Sequence, residues 1–238
     1  MWEEQSENWV RWVRTPGHVD SYDFFGRGFF ELLPASAGRT LEIACGEGRI
    51  TRDLRAAGYD VIGLDLSTTL IDYARSADPA GRYLRADAAR LPFDDAAFEL
   101  VVAYNALMDI EDMRSAVLES ARVLRPGGVL CFSVTHPLND VGAFAGAGPE
   151  APFEIRGSYL KSRRFEESIE RDGLQMIFTG WTHPLQDYTA ALADAGFVVR
   201  HLREPTPPEN AEPRERWAPW HRIPMFLQVS AVKDREDG

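Results

Sequence analysis

From Arg39 onward one unit repeats: a short apolar strand, a tight turn, then an amphipathic helix. This alternation constrains the fold more than any single motif. Parallel neighbours in a sheet must be joined by a crossover, and helices supply it with a fixed right hand. The spacing predicts strands over 40–44, 60–65, 82–86, 98–103 and 129–134, with helices over 49–57, 67–77 and 111–123 between them. Gly58 closes the first of these helices, and Arg125-Pro-Gly-Gly128 turns the chain into the fifth strand. Beyond His136 the alternation breaks. Residues 137–157, rich in Gly, Pro and Ala, read as loop, and 158–182 reads as a β-hairpin turning at Asp172-Gly173. A helix over 184–195, a strand over 197–203, a Pro-rich loop over 205–224 and a last strand over 225–232 follow. Two aromatic helices, 2–14 and 20–33, precede the first strand.

A chain of 238 residues with 45% apolar side chains suits one α/β domain with an elaboration. The formal net charge of −11, with basic residues scattered, repels phosphate backbones and predicts no nucleic-acid partner. The start, Met1-Trp2-Glu3-Glu4, lacks the basic region of a signal peptide, and apolar runs such as 129–132 are too short to cross a bilayer. No membrane partner is expected. The two cysteines, Cys45 and Cys131, form neither a metal-ligand spacing nor a disulfide framework, which points to a reducing cytoplasm.

The stretch Leu41-Glu-Ile-Ala-Cys-Gly-Glu-Gly-Arg49 lies between a strand and a helix, where open α/β sheets bind ligands. Gly46 and Gly48 let the backbone turn tightly and approach a ligand closely. A dinucleotide fingerprint would need glycines where Ala44, Gly46 and Arg49 stand, and no Gly-Lys-Ser/Thr follows to make a P-loop. This argues against a nicotinamide-dependent enzyme. Glu42, at the end of the first strand, sits badly beside a pyrophosphate and well beside a cation. Asp65 ends the second strand, where a carboxylate can take both hydroxyls of a ribose, and Leu66 can pack on the face of a base. Ser67 also reads as a helix cap. Asp87 ends the third strand and can accept an exocyclic amine, with the Ala88 N–H meeting a ring nitrogen; alone, Asp87 reads equally as a turn residue.

In combination these residues resemble the class I S-adenosylmethionine-dependent methyltransferases of the small-molecule, type 11-like branch. The matching blocks are Leu41–Ile50, Val61–Ser67, Ala86–Pro92 with Phe93-Asp94-Asp95 after it, Phe98–Asp112 and Arg122–Phe132. The resemblance is strong over about 39–136 and looser to the end. It implies an α/β fold: a Rossmann-like, seven-stranded, mostly parallel sheet with helices on both faces, an antiparallel last strand, an N-terminal helical lid and a β-hairpin insertion after strand 5. It implies S-adenosyl-L-methionine as cofactor and S-adenosyl-L-homocysteine as product. The cofactor residues it implies are Tyr22, Glu42, Ala44, Gly46, Asp65, Leu66, Asp87, Ala88, Tyr104 and Asn105. Tyr104 and Asn105 line the methionine end. The family usually has Gly at the position of Ala44, where a methyl group leaves the turn tight but usable. On this reading 1–238 is one domain. Residues 1–38 form the lid, 39–136 the cofactor-binding core, 137–183 a substrate cap, and 184–238 the completion of the sheet.

Methyl transfer from a sulfonium is an in-line displacement, so the protein aligns the nucleophile and excludes water. A general base is needed when the nucleophile carries a proton, as a hydroxyl does, and not for a carboxylate. Asp109, in Leu107-Met-Asp-Ile110, is the first candidate acid–base group; it also reads as the cap of the next helix. His136, after the fifth strand, and His183, at the end of the hairpin, are the other catalytic candidates. His18 lies in the N-terminal connection. No dedicated metal site is expected; Asp109 with Asn139 and Asp140 is the weak alternative for Mg²⁺. All six tryptophans lie outside 39–136. They read as a lid over an apolar or aromatic acceptor, or as ordinary packing or a homodimer contact. Lys161, Arg163 and Arg164 form a basic cluster that reads as a solvated hairpin face or a holder for an acidic acceptor group. The expected activity is methyl transfer to a small, partly apolar or aromatic metabolite at O or N. The alternatives are C-methylation and a non-catalytic protein that binds S-adenosylmethionine.

Overall fold

The computed structural model describes residues 2–18, 20–35, 38–146 and 148–234, without the side chain of Asp20. Met1 and 235–238, the outer ends of the expected domain, lie outside these residues. Helices α1 (Trp2–Arg14) and α2 (Asp20–Phe30) lead into β1 (Arg39–Ile43), α3 (Arg49–Ala56), β2 (Asp60–Asp65), α4 (Thr68–Ala77) and β3 (Arg82–Arg85). Next come β4 (Phe98–Tyr104), α5 (Met113–Val123), β5 (Leu124–Thr135), β6 (Gly142–Phe144), β7 (Phe153–Ile155), β8 (Arg163–Arg171) and β9 (Leu174–Thr182). The chain continues with α6 (Leu185–Asp194), β10 (Phe197–Arg203), α7 (Arg214–Trp217) and β11 (Phe226–Lys233).

Seven strands form one sheet in the order β10-β11-β5-β4-β1-β2-β3. Strands β5, β4, β1, β2 and β3 are mutually parallel, and β11 runs antiparallel to both β5 and β10. The expected sheet, including its reversed last strand, is therefore present. The chain passes from β1 outward to β3 and then returns to β4 on the other side of β1. That switch of direction opens a crevice at the carboxyl ends of β1 and β4.

Both faces of the sheet are covered. Leu41, Val101 and Phe132 pack with Met113 and Val117 of α5 and Leu192 of α6. On the opposite face Leu100 and Val102 pack with Phe29 of α2 and Leu54 of α3. This is why β4 reads as a nearly continuous apolar run from Leu100 to Ala103 instead of an alternating one. Fully buried side chains such as Phe29 and Leu54 each contribute roughly 1.5–3 kcal/mol.

Helix α1 crosses outside this core. Trp12 and Val13 bury against Met176 of β9, and the Trp12 and Phe178 rings meet edge to face at 5.7 Å. At the other end, the Glu3 carboxylate accepts from Ser67 Oγ and from Thr69 Oγ1 (2.8 Å), beside the positive end of α4. Ser67 caps α4, as its position implied, by accepting from the Leu70 N–H at 3.1 Å. The hairpin β8–β9 turns at Asp172 and Gly173, both with positive φ, which matches the right-handed twist of its strands. His18 Nε2 lies 3.0 Å from Asp172 Oδ2 and ties the hairpin tip to the connection between α1 and α2.

Four segments differ from the sequence reading. Residues 142–155 hold a two-stranded pair, β6 with β7, whose three-residue strands are too short to carry a period. The Pro-rich stretch 205–224 contains α7 and a further helical turn over 218–221, folded around the fully buried Trp217. Strand β5 begins at Leu124, which pairs with Phe98 ahead of the Gly turn. Finally, α5 is capped by Asp112, whose side chain accepts from the Ser115 N–H at 3.0 Å; Asp109 instead sits in a separate turn, Leu107–Asp109.

Candidate active site

The crevice opens into a cavity of about 1310 Å³. Single ligands fill about 300–1,000 Å³, so this one has room for a cofactor and an acceptor together. Every residue read as a cofactor contact borders it: Tyr22, Glu42, Ala44, Gly46, Asp65, Leu66, Asp87, Ala88, Tyr104 and Asn105.

The turn after β1 is built from left-handed residues: Ala44 (φ 52°), Gly46 (φ 57°) and Gly48 (φ 84°). For Ala44 this conformation costs about 1–2 kcal/mol, a physical reason for glycine at such a position. At Gly48 a Cβ would come within 2.9 Å of the Tyr83 ring and 3.0 Å of the Ala74 methyl, so α3 can start there only without a side chain. The Asp65 carboxylate fastens this turn to the next strand. Its Oδ2 accepts from the Gly46 N–H at 2.8 Å and its Oδ1 from the Ser67 N–H at 2.9 Å. Burial raises the pKa of Asp65, against the pull of those N–H donors. Each carboxylate oxygen keeps a second acceptor site for a ligand. Beside it Leu66 is 62% exposed and presents its side chain at the cavity, where a flat partner can pack on it.

Glu42 is buried and accepts from the Thr51 hydroxyl. Burial pushes its pKa up to about 8, with the nearby Asp65 charge adding to the shift and Thr51 opposing it. A carboxyl raised in the folded state favours folding below its ordinary value of 4.5, and that contribution is lost as pH rises toward 8. Glu42→Gln is therefore expected to match the wild type in Tm near pH 4.5. By pH 8, without cofactor, it should gain about 1–2 kcal/mol. Calorimetric melts across this range test it, and a constant gap between the two proteins would refute the assignment.

Asp87 Oδ1 accepts from the Ala89 N–H at 2.9 Å, so it serves its turn and borders the cavity at once. Tyr22 donates to Asp53, and its ring meets Tyr104 edge to face at 5.7 Å. Asn105 (φ 49°) accepts from the Ser133 hydroxyl at 2.6 Å, which fixes the end of β4.

Of the three catalytic candidates, Asp109 alone borders the cavity. Burial raises its pKa well above the carboxylate range, and the charges of Asp65 and Asp140 add to the shift. Strand β9 passes so close that a Cβ on Gly180 would lie 2.9 Å from Asp109 Oδ1. His136 is not on the cavity surface. Its Nδ1 accepts from the Leu138 N–H at 3.0 Å, so Nε2 carries the proton toward Glu204 Oε1, also at 3.0 Å. His183 also lies off the cavity, with Nδ1 3.2 Å from Ser162 Oγ and its ring edge-on to Tyr188. Burial lowers the pKa of both imidazoles.

The cavity also has an aromatic lining of Trp2, Trp9, Phe144, Phe165, Phe178 and Trp220, with Trp9 Nε1 3.7 Å from where a Cβ on Gly46 would lie. Trp12 and Trp217 are instead packed in the interior, as the ordinary-packing reading allowed. Asp140 and Arg163 also face the cavity; from the sequence Asp140 stood only in the weak metal alternative, and Arg163 in a basic cluster read as a solvated hairpin face or a holder for an acidic acceptor group. A hairpin that returns over the sheet was the available signal, because it must cover whatever follows β4 and β5. Among the described residues no group of three or more His, Cys, Asp and Glu side chains is arranged to hold a metal ion.

Comparison with known proteins matches residues 41–132 to the family described as "Methyltransferase domain". A malonyl-[acyl-carrier protein] O-methyltransferase of Pseudescherichia vulneris is 35% identical over 199 residues, which are 80% of this chain and 75% of that protein. The protein of the same name from Pectobacterium atrosepticum is 36% identical over 109 residues, and the match spans only 43% of its length. Among solved structures, an S-adenosylmethionine-dependent methyltransferase from Mesorhizobium loti superposes with a TM-score of 0.72 at 28% identity, covering 87% of this chain and 97% of that one.

Proposed function

Because the chain belongs to the class I S-adenosylmethionine-dependent methyltransferases of the type 11 branch, we propose that it transfers a methyl group to the oxygen or nitrogen of a small, partly apolar acceptor. The observation that carries this reading is one cavity with two kinds of lining. Glu42, Asp65, Leu66 and Asp87 make the first, and the aromatic side chains Trp2, Trp9, Phe144, Phe165, Phe178 and Trp220 make the second.

The cofactor fits the chemistry of the first lining. Exposed Leu66 offers a face to adenine, Asp65 has acceptor sites left for the ribose hydroxyls, and Glu42 is a buried carboxyl with no ion-pair partner among the described residues. A ligand carrying both a sulfonium and an ammonium supplies that cation. Bound there, S-adenosylmethionine supplies an electrophilic methyl group. The protein's part is to orient the acceptor and keep water out, which Trp2, Trp9 and Phe178 do from α1 and β9. Asp109 holds the acceptor's O–H or N–H proton. Burial raises its pKa, which makes its carboxylate a stronger base for taking that proton.

A second reading, methylation of a carboxylate, is favoured by the activity named for the Pseudescherichia relative and by Arg163 at the cavity. It needs no base. Calorimetry with S-adenosylmethionine and S-adenosylhomocysteine, followed by a transfer screen over phenols, amines and carboxylic acids, tests the assignment. Binding of both with turnover of an acceptor is expected. Binding without transfer to any class would reduce the protein to a cofactor-binding module.

A further inference from the structure

Among the described residues, eleven carboxyl side chains and two arginines border the cavity. Arg49 is committed at the cofactor end, where it donates to the Val13 carbonyl at 2.6 Å and lies over the Tyr22 ring. On the acceptor side, Glu111, Asp112, Glu166 and Glu167 are exposed at the rim, while Asp109 and Asp140 are recessed. Neither recessed carboxyl makes a hydrogen bond or ion pair among the described residues. The Arg163 guanidinium donates to the backbone carbonyl of Asp140 at 3.0 Å and leaves the carboxyl unbonded. Tyr188, 2% exposed and near both carboxyls but not itself on the cavity surface, also has a hydroxyl without a partner among the described residues. Burial holds such unpartnered carboxyls neutral, and a cation entering this end of the cavity is what lets them ionise.

We propose that the acceptor is an amine that enters as its ammonium ion, seated between the Asp109 and Asp140 carboxyls with an apolar or aromatic body against the lid. This rests on the methyl-transfer reading and narrows its substrate class. Burial pushes Asp140 up to about 7 against the pull of Arg163, and raises Asp109 well above its ordinary value. An ammonium between them restores the ionised forms through charge-assisted hydrogen bonds. A carboxylate in the same place would oppose that ionisation instead of promoting it. For transfer, the ammonium R–NH3+ passes one proton to an ionised carboxylate of the pair. The freed lone pair of R–NH2 bonds to the cofactor's methyl carbon, and the S–CH3 bond breaks with its electrons going to sulfur. The products are R–NH2+–CH3 and S-adenosylhomocysteine, and the carboxyl releases its proton to water.

The test is calorimetric titration of 2-phenylethylamine, 2-phenylethanol and phenylacetate into the protein saturated with S-adenosylhomocysteine. The amine should bind roughly ten- to hundredfold tighter than the alcohol, with phenylacetate weakest. Asp140→Asn should bring the amine close to the alcohol. Arg163→Gln, which removes the competing cation at the rim, should tighten the amine and leave the alcohol unchanged. Phenylacetate binding as well as the amine, or an amine preference that survives Asp140→Asn, would overturn the proposal. Failure of S-adenosylhomocysteine to bind at the outset would instead strike the methyl-transfer reading on which it stands.

Discussion

Asp65→Ala is expected to weaken S-adenosylhomocysteine binding by about 1–3 kcal/mol, roughly 5- to 150-fold. Two losses contribute. The substitution removes the acceptor proposed to meet the ribose hydroxyls, and it releases the Gly46 and Ser67 N–H groups that Asp65 now holds at 2.8 and 2.9 Å. The second loss loosens the turn between β1 and α3, so Tm should fall as well. Asp65→Asn separates the two effects. Its amide oxygen can keep one N–H bond, but its NH2 group cannot accept the other. Binding should fall in both variants, with the smaller drop in Tm for Asn. Calorimetry and thermal melts on the same preparations give both quantities. Affinity that stays at the wild-type value in both variants would remove Asp65 from the cofactor site.

Asp109→Asn is expected to slow transfer to a hydroxyl or amine acceptor by about 10²–10⁴-fold, the usual contribution of a positioned acid–base group. Transfer to a carboxylate acceptor should be unaffected, since that nucleophile has no proton to lose. Cofactor affinity should also be preserved, because Asn keeps the shape that fits against Gly180. Rates measured with matched phenol, amine and acid acceptors decide the matter. If all three slow equally, Asp109 acts through packing and not as a base. The enclosure that raises Asp109 is supplied partly by β9, so the same experiment measures what the hairpin contributes to chemistry.

Much of the frame was legible locally. The alternation from Arg39 to His136 marks β1 to β5 and the helices between them. Strands buried on both faces stay apolar, and each helix end carries its own signal in Ser67, Gly58 or Pro126. The acids Glu42, Asp65 and Asp87 were readable as one site, because parallel strands place their carboxyl ends along a single edge. The turn at Asp172-Gly173 was readable because both residues tolerate positive φ, which the hairpin requires.

The acceptor side was legible only in part: Asp109 stood out, but which of Asp140 and Arg163 would face it did not, and the reason is distance along the chain. Asp109 follows β4, Asp140 follows β5, and Arg163 opens the hairpin, so no period or spacing relates them. The histidines mislead in the same way. His136 looks free at a strand end, yet Glu204, 68 residues later, takes up its Nε2. The amino-acid sequence alone determined the sheet, its turns and the acidic edge, because backbone sterics and burial patterns act over a few neighbouring residues. Only the tertiary structure decided which carboxyls are left facing the cavity without a partner. That outcome depends on where β9 and the segment after β5 come to rest on the sheet, and such packing is set by the whole core at once.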